Sequence, residues 1–482
     1  MNVAVDLQSQ QESALMLEAL KAQRAAALRD GSPGAHTRRD RLQRCIDLLV
    51  QHESALCDAM AADFGWRSKD ASRLGDIVTA LAALKHARDH LARWMAPQNR
   101  RAEFPLGLLG ARAQLRFQPK GVIGLISPWN FPVQLTFGPL AGMLAAGNRV
   151  MIKPSEFTPQ TSALMKSLFA SVFAQEEVAV ITGGPEIGAA FASLPFDHLL
   201  FTGATSVGRH VMRAAAENLT PVTLELGGKS PVVLGRSADL EKAALRIMAG
   251  KTLNAGQICV APDYVLAPQG METALVAALR GANAKLFPTM KDNPDYTSVI
   301  NQRHYERLQA LVADAQAKGA EIVRLNPANE DFTQQEHRRM EPILILNPQE
   351  DMKVMQDEIF GPILPIKTYQ SVDEAIAFIN AHPRPLSLYY FGADAMEEQK
   401  ILENTISGGV TINDVVFHVT QEDLPFGGVG PSGMGAYHGL DGFLEFSHRR
   451  AVYRQIGSDL LAITRPPYGA QIRKLIAGRI SK

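Results

Sequence analysis

Cysteine is scarce in this chain, with three residues among 482 and no CxxC pair. So few thiols without paired spacing exclude a disulfide framework and favour a reducing compartment. No apolar run approaches the roughly 18 residues needed to span a bilayer, and the N-terminus lacks the basic region and apolar core of a signal peptide. We therefore expect a cytoplasmic protein with no membrane partner.

An excess of charge of either sign is also absent. Lys and Arg together number 49, Asp and Glu together number 49, and the formal net charge is zero. A general nucleic-acid-binding protein carries a basic surface with interleaved aromatic residues, and this sequence has neither. The twelve histidines are scattered, and no set of His, Cys, Asp and Glu has metal-ligand spacing. We expect no nucleic-acid partner and no metal.

Strands and helices alternate along most of the chain. Residues 13–94 have helical spacing, rich in Ala, Leu, Arg and Gln and broken by a turn at 31–34. An alternating strand at 111–119 follows, and short apolar runs then alternate with helices as far as about residue 380. Short apolar strands that alternate with helices are typical of βαβ units with a parallel sheet, so the predicted fold class is α/β.

The ends of the predicted strands carry polar and small residues. Loops that follow parallel strands lie at one edge of the sheet, where such folds bind their ligands. The strands predicted at 121–126, 149–153 and 198–201 therefore place four residues at the same edge, namely Asn130, Lys153, Glu156 and Gly203.

Cys259 differs from the other two cysteines in its surroundings. Cys45 and Cys57 fall within helical patterns, where cysteine usually acts as a small buried hydrophobe. Cys259 follows small and polar residues and precedes a predicted strand. A thiol is the side chain most easily converted to a nucleophile near neutral pH, but an isolated cysteine is more often inert, so the rest of the sequence has to decide its role.

Two polar residues could assist such a nucleophile. Glu225 lies in an apolar strand that ends in two glycines, where burial would raise its pKa towards that of a general base. A salt bridge between Glu225 and a lysine explains the residue equally well. Asn130 lies in a loop restricted by Pro128 and Pro132, and its amide could stabilise an oxyanion, although a simple turn asparagine is the alternative.

A turn between a strand and a helix at 201–208 could bind a pyrophosphate. A glycine turn before a helix offers free backbone N–H groups and the positive end of the helix dipole. The turn is not a Walker loop, because Arg209 and His210 occupy the positions of the required Lys and Ser or Thr, and it is not GxGxxG. An ordinary strand–helix turn remains the alternative.

Taken together, these segments resemble the NAD(P)-dependent aldehyde dehydrogenase superfamily over about residues 20–450. The matching segments stand in the family's order: PWNFP at 128–132, KPSE at 153–156, FTG at 201–203 with Gly208, LELGGKSP at 224–231, GQIC at 256–259, EIFGP at 358–362 and PFGG at 425–428. A finer resemblance is to the class-3-like branch, which includes coniferyl aldehyde dehydrogenases. It is carried by CVAPDY at 259–264, GVTIND at 409–414 with His418, and RPPY at 465–468.

The resemblance implies an α/β fold with a Rossmann-like cofactor domain, an α/β catalytic domain and a small β oligomerisation arm. Residues 1–226 would form the N-terminal helices and the NAD-binding domain, and residues 227–412 the catalytic domain. Residues 413–482 would return to the cofactor domain and end in an oligomerisation strand and a tail. The arm would combine a strand near 108–119 with one after Gly442, and the implied assembly is a homodimer.

The resemblance also implies the roles of individual residues. Cys259 would be the nucleophile, Asn130 and the Cys259 backbone N–H the oxyanion donors, and Glu225 the base. The implied cofactor-binding residues are Lys153, Ser155, Glu156, Gly203, Ala204, Val207, Gly208, Leu226, Glu358 and Phe360. Ala204 departs from the family, in which many relatives have Ser or Asn that contacts the pyrophosphate. Lys153 and Glu156 would lie at the adenosine ribose, and Glu358 at the nicotinamide ribose. Because Glu156 would repel a 2′-phosphate, we predict NAD, with NADP as the alternative.

The expected substrate is an aromatic aldehyde such as coniferyl aldehyde, or a medium-to-long aliphatic one. Apolar walls suit such a molecule, and the residues predicted to line its pocket are Phe131, Phe417, His418 and Phe426. Core packing explains each phenylalanine as well. Glu225 favours release of a free carboxylic acid, because transfer of the acyl group to a thiol cofactor would need no water-activating base. The asparagine and the two small residues at 254–256 are interpreted as a narrow approach shared by nicotinamide and thiol.

Two other functions are left open by the sequence. A cofactor-independent thiol esterase could use Cys259 and Glu225, but it would leave Glu156 and Glu358 without a role. A non-catalytic structural protein on the same fold would have no need of the residues at positions 130, 225 and 259. NAD titration separates the first alternative from the predicted dehydrogenase, and NADH release from added aldehydes separates the second.

Overall fold

The computed structural model of the chain describes residues 2–104, 106–457, 459 and 461–481. The chain divides into two compact units. The larger comprises Met1–Trp94 and Pro119–Ser447, and the smaller comprises Met95–Gln118 and His448–Lys482. Among the described residues, no helix is both long enough and apolar enough to cross a membrane.

Helices and strands alternate through the larger unit, as the sequence predicts. The helices are α1 Asn2–Asp30, α2 Ala35–Phe64, α3 Lys69–Ser72, α4 Thr79–Met95, α5 Gln134–Ala145, α6 Pro159–Val172, α7 Pro185–Ala192, α8 Thr205–Ala216, α9 Leu240–Thr252, α10 Glu272–Leu286, α11 Gln302–Ala317, α12 Lys353–Gln356, α13 Val372–Ala381, α14 Ala395–Asn404, α15 Gly439–Glu445 and α16 Ala470–Ile480. A π-helix spans Arg73–Val78, and 3₁₀ turns span Leu253–Gly256, Phe417–Thr420 and Ala462–Thr464.

The strands fall into three sheets. They are β1 Gln98–Arg100, β2 Arg112–Pro119, β3 Val122–Ile126, β4 Arg149–Lys153, β5 Val178–Val180, β6 His198–Gly203, β7 Val222–Leu226, β8 Pro231–Leu234, β9 Tyr264–Pro268, β10 Glu321–Arg324, β11 Ile343–Leu346, β12 Ile363–Tyr369, β13 Ser387–Phe391, β14 Gly409–Ile412, β15 Gly433–Met434 and β16 Ser447–Arg454.

The first sheet has the strand order β15-β7-β6-β3-β4-β5 and is parallel except for β15. Its strands are apolar because both faces are covered, and Val122, Leu199 and Leu224 are all buried in one cluster. Since β6, β3 and β4 are adjacent and parallel, the residues that follow them lie at one edge. The backbone N–H of Ser127 bonds the Lys153 carbonyl at 3.1 Å across that edge.

The second sheet has the order β10-β11-β12-β9-β8-β13-β14 and is parallel except for β10. Successive residues of β9 enter opposite cores, with Tyr264 and Leu266 in one and Val265 and Ala267 in the other. This alternation is the two-residue period of a strand buried on both faces. The chain passes from the first sheet to the second between β7 and β8, next to the predicted domain boundary at residue 226. The domain ranges remain a prediction.

The glycine-rich segment at 424–435 is predicted to be a fixed loop, and most of it has no regular structure. Its end differs from that prediction, because β15 pairs antiparallel with β7 and places Gly433 opposite Glu225. The Leu226 N–H also donates to the Ser432 carbonyl at 3.0 Å. Gly433 has φ +144°, and a Cβ there would collide with the Leu224 carbonyl, so only glycine fits. These backbone contacts with the loop therefore stabilise the strand that carries Glu225.

The smaller unit contains a three-stranded sheet with the order β1-β2-β16. β1 and β2 are antiparallel, with Gln98 opposite Leu115. The strand predicted near 108–119 is therefore adjacent to a late strand, as expected for the arm. The C-terminal tail, whose structure the sequence leaves open, contains the largely exposed helix α16.

Candidate active site

The segment before Cys259 reverses the chain through a left-handed turn. Asn254, Ala255 and Gly256 have φ angles of 50°, 54° and 74°. L-residues pay about 1–2 kcal/mol each in this region, so the surrounding structure has to hold them there. At Gly256 a Cβ would collide with the Gly361 carbonyl, which explains the glycine. The three residues form a fixed turn that leads to Cys259. This structural role is additional to the predicted one, in which they form a narrow approach for nicotinamide and thiol.

Gln257 fixes this turn with its side-chain amide. Its Nε2 donates to the carbonyls of Asn254 at 2.9 Å and Ser298 at 3.0 Å, and its Oε1 accepts from the Ile300 N–H at 2.9 Å. Gln257 is fully buried, so these bonds form away from water. Together they fix the backbone two residues before Cys259 against the adjacent segment 298–300.

Cys259 is the partly exposed cysteine, whereas Cys45 and Cys57 are buried within α2. Burial raises the pKa of the Cys259 thiol well above its usual value, and the neighbouring Glu225 raises it further. The nucleophile is accessible, but it needs a base to become a thiolate.

Glu225 lies beside that thiol at the end of β7. Its side chain is 1% exposed, and neither carboxylate oxygen has a hydrogen-bond partner among the described residues. Burial raises the Glu225 pKa from 4.5 to about 7, and the interaction with the nearby Cys259 thiol acts in the opposite direction. A buried carboxyl group that has this pKa and free oxygens can exchange protons near neutral pH.

The salt bridge considered for Glu225 does not form with Lys229. Lys229 Nζ instead pairs with the Asp263 carboxylate and donates to the carbonyls of Val354 at 2.8 Å and Asp357 at 2.9 Å. The lysine therefore ties β8 to the segment before β12, and the Glu225 carboxyl group stays unpaired.

Asn130 is bonded directly to the turn that precedes Cys259. Its Nδ2 donates to the Gln257 carbonyl at 3.1 Å, and its own carbonyl accepts from Asn254 Nδ2 at 3.0 Å. These reciprocal bonds join the loop after β3 to the left-handed turn. The second N–H of the Asn130 amide can donate to an oxyanion bound near Cys259.

The N-terminus of α8 is open for an anion. Ala204 is the N-cap residue and its side chain forms no capping hydrogen bond, so the first N–H groups of the helix lack a side-chain acceptor. A Cβ at Gly208 would lie 2.6 Å from Leu226 Cδ2, which shows how closely the helix packs on β7. Val207 is 47% exposed on the first turn. This geometry suits a phosphate group.

A cavity of about 430 Å³ extends from the first turn of α8 to Glu358. Arg209 and Arg384 supply positive charge along its wall, and Thr205 supplies a hydroxyl group. Glu358 supplies an acceptor: its Oε1 is buried without a partner, and burial, followed by Asp263, raises its pKa to about 8. A cavity with phosphate-binding groups at one end and a carboxyl group for ribose hydroxyls at the other fits a dinucleotide.

Gly227 lines this cavity near Glu358, and Phe360 lies two residues further along the chain from Glu358. A Cβ at Gly227 would collide with the Glu358 carboxylate, so glycine lets the carboxyl group approach β7. Phe360 has φ +47° and its ring meets the ring of Trp129 edge-on at 5.3 Å. Because Trp129 precedes Asn130, the predicted cofactor residue Phe360 lies next to the loop that carries Asn130.

The residues predicted at the adenosine ribose lie at the end of β4. Lys153 is buried, and its Nζ donates to the Pro154 carbonyl at 2.9 Å and lies 3.7 Å from Glu156 Oε2. Burial lowers the Lys153 pKa. The Ser155 hydroxyl accepts from the Phe157 N–H at 3.2 Å and so shapes the turn. These residues do not line the 430 Å³ cavity, and their contact with a cofactor stays a prediction.

The four residues predicted for the substrate pocket have different environments. Phe131 is 9% exposed and packs under the Arg67 guanidinium, and Phe426 is 3% exposed against Tyr437. His418 is held by the Ser387 and Thr411 hydroxyls at 3.1 and 2.8 Å. Phe417 is 57% exposed. Packing explains the two buried phenylalanines, and the substrate role of all four residues remains a prediction.

Four residues that stabilise this site were not predicted from the sequence. They are Asn254 and Gln257, whose side chains form hydrogen bonds at the turn, and the buried ion pair of Arg67 and Asp76. The first two lie within the cysteine motif, and an amide side chain among small residues is a signal for them. Arg67 and Asp76 are charged residues in a helical region, and local sequence offers no indication of their burial. The described residues contain no group of three or more His, Cys, Asp or Glu able to hold a metal.

Comparison with known proteins identifies the family. The model of the aldehyde dehydrogenase family matches residues 5–452. The chain belongs to the aldehyde dehydrogenase family. It is 60% identical to a probable coniferyl aldehyde dehydrogenase of Caulobacter vibrioides, over 100% of both chains. It is 50% identical to a coniferyl aldehyde dehydrogenase of a Pseudomonas species, over 96% of both chains.

Solved structures agree with this assignment. A structure described as the substrate-bound state of Staphylococcus aureus AldH matches with a TM-score of 0.90 and 37% identity, covering 96% of this chain and 99% of that one. The predicted aldehyde dehydrogenase fold is confirmed. This aldehyde dehydrogenase is an NAD(P)-dependent enzyme that oxidises an aldehyde.

Proposed function

We propose that this aldehyde dehydrogenase oxidises an aromatic aldehyde of the coniferyl aldehyde class to its carboxylic acid, with NAD preferred over NADP. The observation that carries the mechanism is that the buried Glu225 carboxyl group lies beside the partly exposed Cys259 thiol. The names of two relatives that are 60% and 50% identical support the substrate class. Medium-to-long aliphatic aldehydes are the alternative substrates.

The first step is attack of Cys259 on the aldehyde carbonyl carbon. Glu225 accepts the thiol proton, since its pKa of about 7 makes it a base at neutral pH. A C–S bond forms and the carbonyl oxygen becomes an oxyanion, to which the Asn130 amide and the Cys259 backbone N–H donate. One such donor is worth about 10²–10³ in kcat.

The second half of the reaction hydrolyses the thioester. Bound NAD(P) would supply the hydride acceptor, and Cys259 carries the thiohemiacetal before and the thioester after the hydride is lost. Glu225 passes the proton that it took from Cys259 to solvent and then takes a proton from water. The resulting hydroxide adds to the thioester carbonyl, and the C–S bond breaks to release the acid and the Cys259 thiolate. The buried position of Glu225 beside Cys259 supports both proton transfers.

The proposed preference for NAD over NADP rests on the carboxyl groups that would contact the two riboses of the cofactor. Glu358 would accept from the nicotinamide ribose hydroxyls, and the N-terminus of α8 would bind the pyrophosphate. Glu156, partly exposed after β4 and 3.7 Å from Lys153, would accept from the adenosine ribose and repel a 2′-phosphate. A free 2′-hydroxyl is therefore favoured over a phosphorylated one.

The deciding experiment compares aldehydes and cofactors by kcat/KM. Purified enzyme is assayed for NADH or NADPH formation with coniferyl aldehyde, cinnamaldehyde, benzaldehyde and hexanal. We expect the highest kcat/KM for coniferyl aldehyde with NAD. Equal values across the panel would refute the aromatic preference, and a higher value with NADP would refute the cofactor preference.

Two variants test Cys259 as the nucleophile, and NAD titration separates the dehydrogenase from the thiol esterase. Cys259→Ala should abolish NADH formation, whereas Cys45→Ala, which removes a buried thiol of α2 far along the chain from the site, should retain it. NAD titration of the native enzyme should saturate. Ester hydrolysis by an enzyme that binds no NAD would support the esterase instead.

We also propose that the enzyme is a cytoplasmic homodimer. The three free cysteines are consistent with a reducing compartment, and the sheet of the smaller unit offers strands for self-association. Light scattering on the purified protein should give twice the monomer mass of 52.4 kDa, and a monomer or tetramer would contradict the proposal.

A further inference from the structure

A buried ion pair lies in contact with the loop that follows β3 and carries Asn130. Arg67 Nη2 bonds Asp76 Oδ2 at 2.7 Å, and the two side chains are 1% and 0% exposed. Arg67 follows α2, whereas Asp76 lies in the π-helix Arg73–Val78. Burying two charges gains little stability over a well-packed apolar pair, so overall stability is a weak explanation for this pair. π-helical turns are also frequent at functional sites.

The pair holds both sides of the loop that carries Asn130. Arg67 Nη1 donates to the Asn130 carbonyl at 3.0 Å. Asp76 Oδ1 accepts from the N–H groups of Val133 and Gln134, each at 3.0 Å. Two atoms of one ion pair thus fix the carbonyl at 130 and the two N–H groups at 133 and 134, where α5 begins.

The surroundings of the pair fix its own orientation. The Arg67 guanidinium lies over the rings of Phe64 at 4.9 Å and Phe131 at 5.0 Å. At Gly75, next to Asp76, a Cβ would lie 2.8 Å from the Phe131 ring, so the π-helix packs directly against the loop. The pair and the loop therefore form one closely packed unit.

We propose that Arg67 and Asp76 are positioning residues that hold the Asn130 amide in the geometry of an oxyanion donor. The proposal rests on the proposed role of Asn130. The planar guanidinium is required because one nitrogen bonds Asn130 while another bonds Asp76, and a lysine ammonium lacks this fork. Misplacing a catalytic group by about 1 Å can cost about 10²-fold in rate, so loss of the fork should appear in kcat.

The test is a double-mutant cycle between Arg67→Lys and Asn130→Ala. Arg67→Lys retains the positive charge beside Asp76 and so protects the fold. Arg38→Lys is the matched control, because Arg38 is equally buried and its Nη1 bonds the Ala145 carbonyl at 2.8 Å, at the opposite end of α5. For each variant we measure kcat and KM for the aldehyde, the Kd for NAD and the melting temperature.

We expect Arg67→Lys to lower kcat by about tenfold or more, with the NAD Kd and melting temperature no more changed than in Arg38→Lys. In the Asn130→Ala background, Arg67→Lys should cost less than about twofold, because the donor that it positions is already absent. A purely structural role would give the same factor in both backgrounds and would refute the proposal, as would kcat equal to that of Arg38→Lys. Full activity of Asn130→Ala alone would instead refute the oxyanion role of Asn130.

Discussion

The Glu225→Gln substitution should stabilise the enzyme relative to the native protein, and this difference in stability should increase as pH rises. The pKa of Glu225 is raised from its ordinary value of 4.5 to about 7 in the folded chain, mainly because the carboxyl group is buried. Between these pH values the unfolded chain releases a proton that the folded chain retains, so the stability of the native enzyme falls as pH rises and then levels off above about 7. The substitution removes this titration.

The magnitude follows from the two pKa values. At 1.36 kcal/mol for each pKa unit, the carboxyl group costs about 3 kcal/mol of folding free energy at pH 8 and about 0.8 kcal/mol at pH 5. The buried glutamine amide has its own desolvation cost, but that cost does not depend on pH. The difference between pH 5 and pH 8 therefore isolates the titration, at about 2.5 kcal/mol.

Differential scanning fluorimetry can detect this difference. For 482 residues the entropy of unfolding is about 1 kcal/mol/K, so the melting-temperature difference between Glu225→Gln and native enzyme should grow by about 2–3 °C from pH 5 to pH 8. Glu217→Gln removes a charge at an exposed position and should show no such change. A melting-temperature difference for Glu225→Gln that is constant with pH would refute the buried, proton-retaining carboxyl group.

Three further outcomes are expected. The kcat of the native enzyme should rise with pH through about 7, because Glu225 is a base only when ionised; a flat profile from pH 6 to 8 would contradict this. Ala204→Ser should supply the missing N-cap of α8, stabilise the fold by about 1 kcal/mol and tighten NAD binding about two- to tenfold by titration, and unchanged values would count against it. Glu156→Gln should raise the NADP/NAD ratio of kcat/KM about tenfold, since it removes the charge that repels a 2′-phosphate, and an unchanged ratio would place Glu156 away from the ribose.

Much of the fold and the reacting groups were predictable from local sequence. The strand that carries Glu225 is mostly apolar and ends in two glycines, and the prolines around Asn130 mark a loop after a strand, so strand ends could be located from the sequence. The convergence of Asn130 with the turn before Cys259 does not follow from these strand ends, because Cys259 precedes β9 of the second sheet. The reciprocal bonds through Gln257 and Asn254 show this contact.

Other features depend on contacts between distant parts of the chain. Arg67 meets the Asn130 carbonyl only after α2 and the loop following β3 have packed together, and helical periodicity contains no information on such a contact. The left-handed conformation of Asn254 and Ala255 is held by Gln257 and not by local preference. The pairing of Gly433 with Glu225 likewise joins segments more than 200 residues apart.

The central claim is that Cys259 forms a thioester that Glu225 helps to hydrolyse. Intact-mass and peptide mass spectrometry of Glu225→Gln, quenched after mixing with NAD and coniferyl aldehyde, test it most directly. Because Glu225 assists both the attack of the thiol and the hydrolysis, we expect slow accumulation of one acyl group, equal to the aldehyde mass minus one hydrogen replacing the thiol hydrogen. This group should lie on the peptide that contains Cys259, with one NADH formed per site. Steady NADH formation without an adduct, or an adduct confined to the Cys45 or Cys57 peptides, would contradict it.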